Sequence, residues 1–598
     1  MSKAAQTVDT VLRKWWRVPT RHWIAFLKRR EEQVFLVLTL VIGALVGLIV
    51  VAFILLTEHA SLRIYPVGGA QWRRLMVPIV VSLTMGYLLF KYFPDARGSG
   101  IPQTKAALYA RGGYISIGTV LGKFFCTSVT LASGIPLGRE GPSVQVGAGL
   151  ASLLGRKLGL SPEKVKALIP VGATAAVAAA FNTPLAAVLF ALEEVVGDLH
   201  APVLGSVVLA SATSWAMLRL LLGNDPLFKV PQYQLVSPWE FGVYAILGVL
   251  GGLVSVAFTK LLLNLRARFL KFPHRTRWFQ PVAGGLLVGA MGWFVPQTLG
   301  VGYKYVGDSL NGGMALKLMV LLLVLKLVAV TVSYASGNAG GIFGPSLFIG
   351  AMLGGIVGSV AQKLSPAHVA APGAYALVGM GTAFAGIVRA PMTSVVMIFE
   401  TTRDYAVVVP LMISNLVSLF ISSRLQPKPI YEVLAEQDGI HLPTAETRSQ
   451  DGQRRVALAM RAVTDTESLE VSLTVQAAIE KAAGSASRSW LIVDGQRLRG
   501  VVSLEILKKT ALNGDGAESL TKLADEPFPH LHVDQPLSLA LERLGTTHLD
   551  VLPVVSRADV HLLEGVVTLQ DVLSFYGFGG TIGSAARNIS LDHGAKSR

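Results

Sequence analysis

The sequence predicts an all-α polytopic membrane domain, built from tilted and broken helices, followed by a soluble α/β tail. Two observations carry this prediction. Hydrophobic residues make up 52% of the 598-residue chain and charged residues only 15%, whereas soluble proteins are nearer 25% charged. The charges are also unevenly placed, because long apolar runs fill the chain as far as Ser423 and ordinary mixed sequence follows.

The apolar runs differ in length, and this indicates how the helices cross the membrane. A perpendicular helix needs about 20 apolar residues to span a bilayer core. The first run, residues 34–56, is long enough, whereas several of the others are shorter. Short segments interrupted by Gly or Pro are typical of the broken helices that build substrate sites in transporters. The later runs are residues 75–90, 202–218, 241–258, 281–301, 318–325, 347–361 and 407–422.

A basic segment, residues 1–32, precedes the first apolar run. It holds eight Lys or Arg residues and only three acidic ones. The positive-inside rule therefore predicts a cytoplasmic N-terminus, and we expect a multi-pass protein of the inner (plasma) membrane with both termini in the cytoplasm. Basic juxtamembrane segments account for enough of the formal net charge of +16 that no nucleic-acid partner is expected.

An internal repeat runs through the apolar part of the chain. Gly-Pro-Ser occurs at residues 141–143 and again at 344–346, and Ala-Ser-Gly occurs at 132–134 and 335–337, both at a spacing of 203 residues. Duplicated halves with interrupted helices are typical of a transporter that binds its substrate between the halves, near the middle of the membrane. The sequence leaves open whether the halves are parallel or inverted.

Three glycine- and proline-rich motifs, residues 98–102, 138–142 and 340–345, each precede an apolar helical run. Proline suits the first turn of a helix, and glycine lets the preceding backbone approach a ligand closely. Helix starts present unpaired N–H groups and a partial positive charge, so several of them aimed at one point would hold an anion reversibly. The alternative is that they are ordinary helix starts and close-packing glycines. Three together, two of them related by the repeat, favour the anion site.

Glu140 is an acidic residue inside one of these motifs, and its counterpart in the repeat is Phe343. A buried carboxylate in apolar sequence is rare and usually functional. When ionised it can occupy an anion site itself, and when protonated it can withdraw, which couples anion movement to proton movement. The alternative is a salt bridge from Glu140 to Arg139 or Lys123.

Two further glutamates, Glu193 and Glu194, follow a run without charge, residues 175–192. Glu193 has a counterpart in Glu400, and each lies nine residues after a proline of the repeat. This predicts a shared structural role, such as hydrogen bonding at a helix end. Glu194 has Thr401 as its counterpart, so we interpret it as an inner proton station, the alternative being a solvated charge at the interface.

These motifs, in this order, resemble the CLC family of chloride channels and chloride/proton antiporters. The resemblance covers residues 34–434 and includes the segments 98–102, 138–142, 180–194, 340–345 and 428–431. It implies a homodimer with one pore in each subunit. Each subunit would be built from two inverted repeats of tilted, broken helices.

The resemblance also implies which residues bind chloride. The Ser99 hydroxyl, the backbone N–H groups of Ile342 and Phe343, and the Tyr431 phenol would hold the anion. Serine in the first motif is similar to the chloride-preferring members, whereas proline there marks nitrate exchangers. The intact motif at residues 138–142 argues against the fluoride branch.

By the same resemblance, Glu140 is the external gating carboxylate and Glu194 the internal proton-transfer carboxylate. Many channel members lack an acid at the second position, so Glu194 favours chloride/proton exchange. The alternative is a gated chloride channel on the same fold. Gln103 departs from the family pattern, since many members have glutamate directly after the first motif.

The tail also repeats. Residues 469–471 and 531–533 are similar at an offset of 62, and each leads into a helical segment and two short strands. Two such units look like a tandem pair of cystathionine-beta-synthase-type (CBS) domains. The expected organisation is a basic N-terminal segment, a transport domain, a linker, two CBS domains and a flexible end, at residues 1–32, 33–435, 436–455, 456–514, 518–580 and 581–598.

CBS domains often bind adenosine nucleotides, and one of the two units has the residues for it. In this domain type an aspartate at the position of Asp571 bonds ribose hydroxyls, and a threonine at the position of Thr568 lies by the phosphate. The first unit has Ser503 and Ile506 there, so one of two sites looks defective. ATP, ADP or AMP would be the ligand, and the alternative is a purely structural or dimerising tail.

The sequence gives no reason to expect an enzyme, a metal centre or a resident cofactor. Cys126 is the single cysteine, and Ser99 and Ser143 have no histidine in their segments. A membrane-anchored nucleotide sensor is also disfavoured, because an anchor needs neither repeated helix starts nor a buried glutamate. The expected partners are chloride, protons, membrane lipid and a second copy of the chain.

Overall fold

The computed structural model describes residues 31–199, 202–223, 227–228, 231, 233, 235–403, 405–443, 454–483, 487–495, 497–524, 528–547 and 549–575. The basic segment up to residue 30 and the predicted flexible end, residues 581–598, lie outside the described residues. The chain divides into two compact units, Met1–Leu442 and Pro443–Arg598. This division falls within residues 436–455, which the sequence predicts to be a linker.

The described part of the first unit contains seventeen α-helices in two similar series and one closing helix. The first series is α1 Glu31–Ile64, α2 Trp72–Lys91, α3 Ile101–Tyr109, α4 Ile117–Ala132, α5 Glu140–Lys157, α6 Pro162–Phe181, α7 Pro184–Phe190 and α8 Leu204–Leu222. The second is α9 Glu240–Lys271, α10 Pro281–Phe294, α11 Tyr303–Leu310, α12 Leu316–Ser336, α13 Phe343–Leu364, α14 Pro372–Val388, α15 Pro391–Thr402 and α16 Val408–Leu425. The closing helix is α17 Ile430–Gln437.

The helices of this unit confirm the prediction of a multi-pass protein with broken helices. Among the described residues, eight helices are long and apolar enough to cross a membrane. Others are far too short, since α3, α7 and α11 have 9, 7 and 8 residues and a residue adds only about 1.5 Å of rise. The short helices begin or end inside the unit, where their termini can face a site.

The two series are related by a local two-fold axis. Gly138 and Gly341 are equivalent in the repeat, and they form an antiparallel bridge. The N–H of each donates to the carbonyl oxygen of the other, at 2.7 Å in both directions. A reciprocal pair between equivalent residues is the geometry of a two-fold axis, as expected for inverted repeats.

Two glutamates form a second pair of reciprocal contacts. Glu193 accepts hydrogen bonds from the N–H groups of Met392 and Thr393, at 3.2 and 2.9 Å, at the start of α15. The equivalent Glu400 accepts from residues 185 and 186, at 2.9 and 2.8 Å, at the start of α7. A carboxylate stabilises the free N–H groups of a helix start, so the predicted hydrogen bonding at helix ends is confirmed.

Glycines bring the central helices into backbone contact. A Cβ on Gly147 of α5 would lie 2.3 Å from the Gly172 oxygen of α6, and a Cβ on Gly350 of α13 would lie 2.2 Å from the Gly379 oxygen of α14. Small residues of this kind are how membrane helices pack closely without a hydrophobic driving force between them. The α5/α6 and α13/α14 pairs therefore form a rigid centre that fixes the starts of α5 and α13.

The second unit contains two similar α/β parts. The first is β1 Ser468–Glu470, α18 Val475–Ala482, β2 Ser489–Asp494, β3 Arg497–Ser503 and α19 Leu504–Thr510, and the second is α20 Leu537–Thr547, β4 Val551–Val555, β5 Leu563–Thr568 and α21 Leu569–Phe575. Strand β1 pairs parallel with β2, and β2/β3 and β4/β5 are antiparallel. The predicted α/β repeat of the tail is confirmed, and each predicted strand lies within an observed one.

Candidate functional site

The three predicted helix starts are present, and they lie side by side. Helices α3, α5 and α13 begin at Ile101, Glu140 and Phe343, each within its glycine motif. Gly100 has a φ of 103°, and a Cβ there would lie 2.3 Å from the Gly141 oxygen. Only glycine allows both this backbone conformation and this approach. The starts of α3 and α5 therefore touch, and the bridge between residues 138 and 341 joins α5 to α13.

The Glu140 carboxylate lies at the start of α13. Its side chain is fully buried, one oxygen accepts a hydrogen bond from the Tyr303 hydroxyl, and the other accepts from the Gly344 N–H at 3.2 Å. A Cβ on Gly138 would lie 2.2 Å from that second oxygen, so a side chain at this position would displace the carboxylate. A carboxyl group thus occupies the place where a helix start favours an anion.

The alternative salt bridges of Glu140 are not found. Arg139 pairs with Glu58 instead, at 3.2 Å. The Lys123 ammonium donates to the carbonyl oxygens of Ala96 and Gly98, at 3.0 and 2.5 Å. Among the described residues, Glu140 is therefore held by a hydroxyl and a backbone N–H and by no cation. Its side chain can move away from these two groups more easily than from an ion pair.

The predicted chloride ligands from two other segments are also buried here. Ser99 and Tyr431 have no exposed surface. The backbone carbonyl oxygen of Ser99 and the Gly341 Cα both lie within 4 Å of the position that a Cβ on Gly141 would take, so the Ser99 loop lies against the starts of α5 and α13. The Tyr431 hydroxyl is buried and has no hydrogen-bond partner among the described residues. A buried hydroxyl requires an acceptor, and an anion held by the helix starts would supply one.

Ile342 and Phe343 complete the predicted set at the start of α13, and both are buried. The Phe343 ring packs against Phe181, Phe190 and Phe384, with ring centroids 4.6, 5.5 and 4.4 Å apart. These rings exclude water from the helix start. Backbone N–H groups there lack intrahelical partners, so an anion can bind them without competition from solvent.

Glu194 lies in a buried ion pair. It belongs to a single π-helical turn, Ala191–Val196, a feature that often marks functional positions. Its carboxylate lies 2.8 Å from the Lys105 ammonium, and the two side chains are 8% and 5% exposed. The alternative interpretation of Glu194 as a solvated charge at the interface is therefore wrong. Lys105 belongs to α3, the helix that starts beside Ser99.

Sequence reasoning missed several of these residues. Tyr303 carried no signal, because it opens a short helix far along the chain from Glu140. Lys105 could have been noticed as a single charge within an apolar stretch. Lys123 and Lys326 could have been found from the repeat, since they are equivalent at the 203-residue spacing.

The two equivalent lysines, Lys123 and Lys326, are fully buried and make equivalent contacts. Lys326 donates to the carbonyl oxygens of Thr298 and Gly300, at 3.1 and 2.5 Å, as Lys123 does to those of residues 96 and 98. Neither ammonium has a carboxylate partner among the described residues. Each lysine therefore ties a loop to a helix of its own half of the unit.

In the tail, the structure brings Thr568 and Asp571 together. The Thr568 N–H and hydroxyl donate to one Asp571 oxygen, at 2.9 and 2.6 Å. Asp571 also pairs with Arg461 at 3.2 Å, and Arg461 pairs with Glu467. Burial works to raise the pKa of Glu467, but the hydrogen bonds from Arg461 and Thr464 outweigh it and lower that pKa. Arg461 thus occupies the aspartate that a ribose would need, and Glu467 holds Arg461 there. Neither residue stood out in the sequence.

Known proteins resemble this chain over both units. The family model described as "Voltage gated chloride channel" matches residues 80–423, and one described as "CBS domain" matches residues 520–577. An H+/Cl− exchange transporter, ClcA of Vibrio campbellii, is 31% identical over 371 residues, covering 61% of this chain and 79% of the relative. A crystal structure of a slow cyanobacterial Cl−/H+ antiporter is 25% identical with a TM-score of 0.63, covering 68% of this chain and 97% of that one.

Proposed function

Because the chain belongs to the voltage-gated chloride channel family and carries a CBS domain in its tail, we propose that it exchanges chloride for protons across a membrane. It is a secondary active transporter. The observation that carries this proposal is the position of Glu140, a proton-accepting group that occupies the helix start where an anion binds.

The geometry gives a physical route from proton to anion. The ionised Glu140 carboxylate is stabilised by the Gly344 N–H and the Tyr303 hydroxyl. Protonation removes its charge, and with it the attraction to the start of α13. A chloride ion can then take the place at that helix start, and its departure lets the carboxylate return. Each exchange at the site therefore involves one proton on Glu140.

Chloride binding is assigned to Ser99, Ile342, Phe343 and Tyr431. Two of them offer hydroxyl groups and two offer backbone N–H groups, so the site holds the anion with dipoles and without a fixed positive charge. Binding to dipoles is weaker than pairing with a buried cation and stays reversible. The buried, unpartnered hydroxyl of Tyr431 supports this assignment.

Glu194 is proposed as the inner proton station. Tyr431 lies within electrostatic range of both Glu140 and Glu194, so the chloride site lies near both acids. The Lys105 ammonium stabilises Glu194 as a carboxylate between protonation events. A proton can therefore arrive at a buried group that is already oriented by its partner.

The finer features of the protein belong to the same proposal. It works as a homodimer in the inner (plasma) membrane with both termini in the cytoplasm, and the basic residues before residue 31 support that orientation. An adenosine nucleotide binds at Thr568 and Asp571 of the second CBS domain and regulates transport.

The proposal is tested with the purified protein in liposomes under a chloride gradient. External pH is recorded with and without a proton uncoupler. We expect chloride to drive protons against their own gradient, and the uncoupler to abolish the signal. Chloride flux without any proton movement would contradict exchange and leave the gated chloride channel.

A further inference from the structure

We infer that a cavity beside the Ser99 loop binds a phosphate-class oxyanion. The cavity has a volume of about 220 Å³ and lies within the first unit. Its lining includes Gly98, the neighbour of Ser99, and four arginines, Arg97, Arg111, Arg266 and Arg277. It is separate from the helix starts that hold Glu140, and the proposed exchange does not use its arginines.

The lining carries an excess of positive charge. Two acidic residues, Asp95 and Asp438, face the four arginines. Arg266 pairs with Asp438 at 2.5 Å, and Arg111 lies 3.7 Å from Asp95. Arg97 and Arg277 have no carboxylate partner among the described residues, and the Arg277 Nε atom is buried without any hydrogen bond. Two guanidinium groups therefore face one cavity unneutralised.

Arg97 is held in place by backbone. Its Nη2 donates to the Ser336 oxygen at 3.1 Å. It also lies against Gly337, where φ is 99° and a Cβ would be 2.0 Å from that nitrogen. Arg266 and Arg277 line the same cavity. Holding the Arg97 guanidinium close to two others costs electrostatic free energy, and a bound anion offsets that cost.

The chemistry of the lining selects an oxyanion. A guanidinium group presents parallel N–H donors that match two oxygens of a phosphate, which a single chloride ion cannot use. The volume of about 220 Å³ also far exceeds one small ion, since a water molecule occupies about 30 Å³ of liquid. Inorganic phosphate and a phosphomonoester fit the cavity equally, and the second could belong to a soluble metabolite or to a lipid headgroup.

Gln103 offers a matched way to change the cavity. Its side-chain oxygen accepts from the Gly100 N–H at 2.9 Å, at the start of α3, and its amide lines the cavity. Gln103→Glu keeps this acceptor and the shape of the side chain. It adds one negative charge facing Arg97 and its neighbours, so it opposes an anion without removing any packed group.

Binding is measured by calorimetry with inorganic phosphate on the full chain in detergent. We expect the wild type to bind, and Arg277→Gln, Arg97→Gln and Gln103→Glu each to weaken binding by at least about tenfold, because each removes or opposes a charge-assisted hydrogen bond. The control is Arg424→Gln at the exposed end of α16, which should bind like the wild type. No binding by the wild type, or equal binding by Gln103→Glu, would overturn the inference.

The source of the phosphate group is distinguished in nanodiscs of phosphatidylcholine with and without phosphatidate. If phosphatidate occupies the cavity, it will raise the apparent Kd for inorganic phosphate in the wild type and leave that of Gln103→Glu unchanged. If the ligand is soluble, phosphatidate will have no effect and phosphate will bind in both discs. Both outcomes support the site.

A ligand in this cavity would lie at the mouth of the path to Ser99 and slow chloride exchange. This consequence rests on the proposed function, whereas the binding does not. Phosphate inside liposomes should therefore reduce chloride flux in the wild type more than in Gln103→Glu, each compared with its own phosphate-free rate. Equal inhibition of both proteins would count against the site even if the exchange itself is demonstrated.

Discussion

Two buried carboxylates of the membrane unit are stabilised in different ways. Glu140 is held by a hydroxyl and a backbone N–H, and Glu194 by the Lys105 ammonium at 2.8 Å. Dipoles let a carboxylate leave once it is protonated, whereas a buried cation keeps its partner in place. The difference fits a moving gate at Glu140 and a fixed proton station at Glu194.

Removing the ammonium from the Lys105–Glu194 pair should destabilise the protein. Lys105→Met leaves a buried carboxylate without its partner, and breaking such a pair costs about 3–5 kcal/mol. Thermal unfolding in detergent measures the effect. The double variant with Glu194→Gln should recover much of the loss, because no charge is then left unpaired. An equal loss in the single and double variants would contradict the pairing.

At the scale of residues, the sequence predicted the acids but not their partners. Glu140 and Glu194 stood out because a charge in apolar sequence is conspicuous. Tyr303 and Lys105 could not be assigned as partners, because these contacts exist only in the folded chain. Tyr303 lies 163 positions from Glu140 in the sequence, and Lys105 lies 89 positions from Glu194. The chloride ligands entered through the family resemblance, and the orphan hydroxyl of Tyr431 is a structural observation that sequence cannot supply.

At the scale of elements, glycine and proline predicted where α3, α5 and α13 begin. These residues act through local backbone geometry, so a sequence shows them directly. The same locality explains the strands of the tail, since β2 and β4 contain short, continuously buried apolar runs. Local sequence does not determine which helices pack against one another, so the reciprocal caps of α7 and α15 became visible only in the fold.

Glu193 and Glu194 are neighbours with separate roles, and this makes a matched comparison. Glu193→Ala removes the cap of α15 and should lower stability by about 0.5–2 kcal/mol, as loss of a helix cap does. The ratio of protons to chloride should not change. Glu194→Gln should instead reduce the ratio. The proton-to-chloride ratio of both variants is measured by recording chloride and proton fluxes together in liposomes. A reduced ratio in Glu193→Ala would contradict the separate roles of the two glutamates.

The second CBS domain gives a prediction on nucleotide binding. Since Arg461 pairs with Asp571 at 3.2 Å, a ribose must compete with it. Arg461→Gln should therefore tighten the binding of ATP, and Asp571→Asn should weaken it by at least about tenfold, because a charged hydrogen-bond acceptor is lost. Equilibrium dialysis on the full chain measures both. Ser503→Ala in the first domain is the control and should bind as the wild type does.

At the scale of the whole molecule, a symmetric scaffold carries asymmetric acids. The local two-fold axis relates Gly138 to Gly341 and Glu193 to Glu400, yet Glu140 corresponds to Phe343 and Glu194 to Thr401. The repeat itself was readable from sequence, because its motifs recur at one spacing. The orientation of the halves was not, since it depends on which equivalent residues meet in space.

The asymmetry suggests how proton coupling is combined with a symmetric anion path. In the proposed exchange, the helix starts of both halves serve the anion, and only the first half supplies the two acids that serve the proton. The anion path can therefore persist when an acid is removed, whereas the coupling cannot.

In the proposed exchange the Glu140 carboxylate links chloride to protons, and the Glu140→Ala variant separates the two movements. Reconstituted wild type and Glu140→Ala are compared under the same chloride gradient, with chloride flux and external pH recorded together. We expect the variant still to pass chloride while its uphill proton movement disappears. Proton movement at the wild-type ratio in Glu140→Ala would contradict it.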